Sequence, residues 1–170
     1  AFTNYVEGIY VGYKYYETAA QEGAIDYDKT VQYPFGYGLS YTEFEQKMGE
    51  LEEKDGQISV DVEVTNSGDV AGKDVVEVYY KPPYTNGGIE KSSANLIEFA
   101  KTDLLQPGKS QIVTVTFSIE DMASYDENNA KAYVLEKGDY VISINSDSHT
   151  VLDQKTYTAD TDVVLSLIHI

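Results

Sequence analysis

The run "QISVDVEVT", Gln57 to Thr65, constrains the fold more than any other stretch of this chain. Ile58, Val60, Val62 and Val64 alternate with Ser59, Asp61 and Glu63. Successive side chains of a strand point to opposite faces, so this pattern suits a strand with one buried and one wet face. "NSGD", Asn66 to Asp69, closes the run with turn residues that tolerate positive φ. Alternation returns in "QIVTVTFSI", where Val113, Val115, Phe117 and Ile119 oppose Ile112, Thr114, Thr116 and Ser118, after a tight turn at Pro107-Gly108. "KDVVEVYYK" sets Val76, Val78 and Tyr80 on one face and Val75, Glu77 and Tyr79 on the other. "NLIEFAKTDL" is a weaker strand, "AYVLEKGDYVISINS" predicts two strands joined at Lys137-Gly138-Asp139, and "QKTYTA" predicts an edge strand. About seven strands at intervals of roughly ten residues predict a mainly β protein, a seven-stranded sandwich. Only the polar segment around Met122 competes as helix, and Glu50, Glu52 and Glu53 read as a solvated turn.

At 170 residues the chain is long enough for one well-buried core with a small appendage. Its formal charge of −17 repels phosphate backbones and anionic lipid surfaces, so neither nucleic acid nor membrane is an expected partner. No apolar run approaches the length that crosses a bilayer. The absence of cysteine removes thiol nucleophiles and cysteine–zinc sites without identifying a compartment. With only His149 and His169, a histidine-rich metal site is not expected, and His149, after "NSDS", reads as an exposed loop histidine. No P-loop, dinucleotide fingerprint or EF-hand loop is present, so no cofactor and no metal are expected. The many carboxylates lie on polar strand faces and loops, where water is the expected neighbour. Leu165 to Ile170, an apolar run after "YTADTD", reads either as a truncation scar or assembly artefact or as a final strand.

Composition shifts near residue 44. Before it lie most of the tyrosines, in "YVEGIYVGYKYYET" and "YPFGYGLSY". In an extended "YPFGYGLSYTEF", the rings of Tyr33, Phe35, Tyr37 and Tyr41 would share one face, with only Pro34, Gly36, Gly38 and Ser40 between the large side chains. Such a ring-bearing face packs against another domain or stacks on the apolar faces of sugars. Gly8, Gly12, Gly36 and Gly38 remove side chains beside the rings, which favours close packing.

"VEGIYVGYKYYET" followed by "VQYPFGYGLSYTEF" resembles the closing motifs of the α/β-sandwich domain of glycoside hydrolase family 3, the β-glucosidase and β-xylosidase family. "VTNSGDVAGKDVVEVYY", "FAKTDLLQPGKSQIVTVTFSIEDMASYD" and "LEKGDYVISINSDS" resemble the fibronectin type III-like domain that follows it in many members. The resemblance implies three segments: residues 1–44 as the end of the α/β-sandwich domain and a connector, 45–160 as a fibronectin type III-like (immunoglobulin-like) sandwich, and 161–170 as a tail, possible non-native sequence. It implies a parent that hydrolyses β-glucosides or related O-glycosides with retention. The nucleophile of such enzymes is an aspartate on a barrel domain, and their acid/base, commonly a glutamate, lies earlier than anything here. No Ser-Asp-Trp motif and no tryptophan is present, so no catalytic residue carries over. Lys14 stands where the family has Arg, and Glu17 where it has Asp. The implied partners are the remaining domains of the parent, with carbohydrate reached through them, and Tyr33, Phe35, Tyr37 and Tyr41 are the implied domain-interface residues. A loop such as Tyr84 to Ser93 would shape a rim of the site. The alternative is a standalone β-sandwich module that binds carbohydrate or protein.

Overall fold

The structure is a computed structural model and describes residues 8–165. Two helices, α1 (Tyr13–Gln21) and α2 (Tyr27–Thr30), precede the strands β1 (Phe44–Lys54), β2 (Gln57–Asn66), β3 (Val75–Lys81) and β4 (Asn95–Lys101). Then come β5 (Ser110–Ser118), a 3₁₀ turn at Ile119–Met122, β6 (Ser124–Asp126) and β7 (Ala132–Leu135). β8 (Gly138–Asn145), β9 (Val151–Ala159) and β10 (Val163–Leu165) complete the order. The sheets are β1-β2-β5, β4-β3-β8-β9 and a small β10-β7-β6. The first two face each other as a sandwich of seven strands, six of them among the predicted strands; β1 takes the place of the predicted strand at Ala132–Leu135, which joins the small third sheet.

The core forms where the alternation places it. Ile58, Val60, Val62 and Val64 of β2 pack with Val76 and Val78 of β3 and with Ile142 and Ile144 of β8, all essentially inaccessible to water. Each such side chain contributes about 1.5–3 kcal/mol on burial. Met122, in the 3₁₀ turn, is also fully buried. Lys155 of β9 reaches Glu50 of β1 at 2.8 Å and joins the two sheets at their edges.

One polar residue belongs to this frame. Asn66 is completely buried at the end of β2. Its Nδ2 donates to the carbonyls of Val70 (2.8 Å) and Leu105 (2.9 Å), and its Oδ1 accepts from Thr42 Oγ1 (2.8 Å) and the Gly68 N–H (3.1 Å). Gly68 is required by proximity: a Cβ there would lie 2.3 Å from Thr42 Oγ1 and 2.7 Å from the Glu43 nitrogen.

Three expectations need correction. Glu50, Glu52 and Glu53 are solvated but lie in β1, and the turn falls at Asp55-Gly56, where both residues have positive φ. The strands predicted on either side of Lys137-Gly138-Asp139 both form, but Gly138 and Asp139 belong to β8, so the joint falls at Glu136-Lys137, and the two strands enter different sheets. β7 pairs with β6 and β10, whereas β8 pairs with β3 and β9. The Lys137 N–H is taken by Asp162 Oδ1 at 2.7 Å instead of by a partner across a turn. Finally, helix is not confined to the region of Met122, because α1 and α2 occupy the tyrosine-rich start. Of the apolar terminal run, Leu165 belongs to β10 and residues 166–170 lie outside the described part.

Candidate functional site

The outer face of the four-stranded sheet is where the chain departs most from a plain sandwich. In β3, Val76 and Val78 face the core, so Glu77 and Tyr79 face outward, yet Tyr79 is buried. α1 and the segment after it cover it. α1 starts at Gly12, whose φ of 59° suits glycine. Tyr13, Glu17 and Ala20 then recur at the spacing of one helix face. Tyr13 meets Tyr79 edge to face, with centroids 6.2 Å apart, and its Oη accepts from the Leu96 N–H at 2.9 Å. One turn on, the Ser93 N–H donates to Thr18 Oγ1 at 3.0 Å.

Glu17 is the centre of this contact and is 7 % exposed. Oε1 accepts from Tyr27 Oη of α2 at 2.6 Å and from Ser148 Oγ, in the β8–β9 loop, at 2.8 Å. Oε2 pairs with His149 Nδ1 at 2.9 Å. The Tyr27 and His149 rings stack nearly parallel with centroids 3.7 Å apart. Burial, and then the bond to Glu17, push the Tyr27 phenol above its ordinary value, so it stays a donor to the carboxylate. His149 is thus an exposed loop residue with a partner, and Glu17 is a carboxylate whose neighbours are protein groups and not water.

The connector follows. Tyr37 N–H donates to the Pro34 carbonyl at 3.2 Å, with Gly36 at a φ of 87°, so "YPFGYG" is a turn and not an extended strand. The turn lies against β3: a Cβ on Gly36 would be 2.6 Å from Glu77 Oε2. Burial pushes the Glu77 carboxyl above its ordinary value, opposed by the bond it accepts from Tyr79 Oη at 2.9 Å. The Phe35 carbonyl accepts from the Ser148 N–H at 2.8 Å.

That turn splits the expected row of rings. Phe35 stacks on Tyr13, with centroids 4.7 Å apart, and so joins the covered face. Tyr33 and Tyr37 meet each other across the turn at 5.1 Å. Tyr41 stands alone, 98 % exposed, with Leu39 91 % and Tyr33 63 % exposed nearby in sequence. The residues that fasten the covered face, Tyr13, Glu17, Tyr27, Ser148 and His149, were not singled out as a set by the sequence. The detectable signal was the Tyr13/Glu17/Ala20 spacing, masked by tyrosines on the other positions of the helix.

Two clefts flank α1. One, of about 490 Å³, lies between the helices and the outer faces of β8 and β9 and includes Glu17, Tyr27, Ser143 and His149. The other, of about 410 Å³, lies toward the Tyr84 loop. That loop is held from below by Lys91, whose buried Nζ donates to the Pro83 carbonyl at 2.6 Å and pairs with Glu136. Among the described residues, no group of three or more acidic or histidine side chains forms a metal site.

The fibronectin type III-like domain family matches residues 74–148. β-Glucosidase A of Butyrivibrio fibrisolvens is 42 % identical over 82 % of this chain, which corresponds to 18 % of that enzyme. The solved β-glucosidase of Paenibacillus barengoltzii is 39 % identical with a TM-score of 0.81, over 94 % of this chain and 18 % of that one. The Kluyveromyces marxianus β-glucosidase, solved with glucose, is 31 % identical with a TM-score of 0.82, over 95 % of this chain and 18 % of that one. The chain therefore spans about a fifth of the length of the relatives it matches. Both the tyrosine-rich start and the sandwich fall inside these matches, and one matching structure, from Bifidobacterium adolescentis, is itself described as a GH3 β-glucosidase. In sequence and in fold the chain matches a stretch of these β-glucosidases, a GH3 enzyme among them, and within that stretch residues 74–148 match the fibronectin type III-like domain family.

Proposed function

We propose that this chain is the non-catalytic, domain-positioning part of a family 3 β-glucosidase. Residues 1–44 would be the end of the neighbouring α/β domain with its connector, 45–160 the sandwich, and 161–170 a tail. The fastened outer face would make sandwich and connector one rigid support. Tyr33, Phe35, Tyr37 and Tyr41 would be the residues through which the other domains of the parent dock, with the carbohydrate substrate reached through the parent. The observation that carries this reading is the exposure of Tyr33, Leu39 and Tyr41 beside a connector whose own backbone is fixed on the sheet. The exposed ring pair Tyr33 and Tyr37, with the exposed Leu39 and Tyr41, suits a contact surface.

A chimera tests it. This chain replaces the matching stretch of the Paenibacillus barengoltzii β-glucosidase. The chimera is expected to fold and to hydrolyse an aryl β-glucoside, and replacing Tyr33, Tyr37 and Tyr41 together by Ala is expected to cut activity about tenfold or more through mispositioned domains. Full activity in the triple variant, or turnover by the 170-residue chain alone, would overturn the proposal.

A further inference from the structure

The two clefts beside α1 adjoin at Gln21, Lys81 and Ser93, which line both, and together outline a trough. Tyr27 and His149 line one end, and Tyr84 and Tyr10 the other. Between them lie the Gln21 amide, the Ser93 hydroxyl and Lys81, with Glu22 and the buried Lys91 also in the lining. On the floor, Asn145 is 2 % exposed, and its Oδ1 has no hydrogen-bond partner among the described residues. Rings at both ends with amides and hydroxyls between them match a ligand that alternates apolar ring faces with hydroxyl edges.

We propose that this trough binds a neutral oligosaccharide, with sugar rings against Tyr84 at one end and Tyr27/His149 at the other. Each cleft has the volume of an ordinary small-ligand site, so two together suit several linked units better than one. The net charge of −17 disfavours polyanions, and Lys81 does not offset it, nor does Lys91, which is paired with Glu136. β3 and β8 beneath the trough are each paired on both sides, so an extended peptide could add only to the edge strand β9 at its rim. The choice of a sugar rests on the glycosidase reading above, whereas the trough is distinct from the exposed rings of Tyr33, Tyr37 and Tyr41.

Calorimetric titration of the 170-residue chain with glucose, cellotetraose and tetragalacturonate tests the proposal. Cellotetraose is expected to bind in the millimolar range or tighter, with glucose about tenfold weaker. Tyr84→Ala and Gln21→Ala are each expected to weaken tetraose binding about fivefold while leaving the melting temperature unchanged. Absence of tetraose binding overturns the proposal. So does binding that neither substitution weakens, or equal binding of the anionic tetramer. The chimera does not depend on the trough, so a working chimera with an empty trough refutes the trough alone, and sugar binding with a failed chimera refutes the docking role alone.

Discussion

Asn66 and Asp126 each spend one short polar side chain on several backbone groups. Asn66 ties the turn after β2 to Leu105 and, through Thr42, to the connector. Asp126 does the equivalent for the loop after β6, where Oδ1 accepts from the N–H groups of Asn128 and Asn129 and Oδ2 from Ala130, all at 3.0 Å. These bonds, led by that from Ala130, hold its carboxyl below the usual carboxylate range. A carboxyl depressed in the folded state adds stability above its unfolded pKa of about 4, and that stability is lost as the pH falls through the lower folded value. Asp126→Asn should therefore melt below the parent chain at pH 7. The gap should shrink once the pH drops well below 4, about the unfolded pKa. Melting curves from neutral to acid pH measure it, and a gap that stays constant across the range would rule out the carboxylate as its cause.

At the scale of elements, the strands were legible because burial on one face of a sheet writes a period of two into the sequence, as in Ile58 to Val64. α1 was not, because its buried face carries Tyr13 and Glu17 in place of aliphatic residues and so shows no apolar stripe. The contacts of Glu17 were also out of local reach: Ser148 and His149 lie 131 and 132 residues away. For the same reason the ring spacing of "YPFGYG" suggests one extended face and does not reveal the split across a turn. The helix depends on that remote contact, since nine residues are too few to persist alone in water. Glu17→Ala leaves Tyr27, Ser148 and His149 without their common acceptor and is expected to cost about 2–4 kcal/mol in the docking of α1. Limited proteolysis should then cut first within α1 and α2 and leave a resistant sandwich from about residue 44. Cleavage of the variant at the parental rate would mean that Tyr13, Phe35 and Tyr79 hold the helix without Glu17.

For the whole molecule, two features pull against each other. A charge of −17 keeps copies apart, while Tyr33, Leu39 and Tyr41 present exposed apolar surface. The repulsion acts through solvent and is screened over about 10 Å at 0.1 M salt, whereas burial of rings is not weakened by screening. Self-association of the 170-residue chain should therefore rise with salt, opposite to the trend for contacts made by surface ion pairs. Sedimentation velocity across a range of salt concentrations reads this directly. The chain is expected to shift from monomer toward dimer as salt increases, and replacing Tyr33, Tyr37 and Tyr41 together by Ala should remove the shift while leaving the fold intact, because none of the three lies in the sandwich core. A parent chain that stays monomeric at high salt and high concentration would show that these rings do not attract one another. An association that survives the triple substitution would place the contact elsewhere, with the exposed edge strand β9 the first surface to examine.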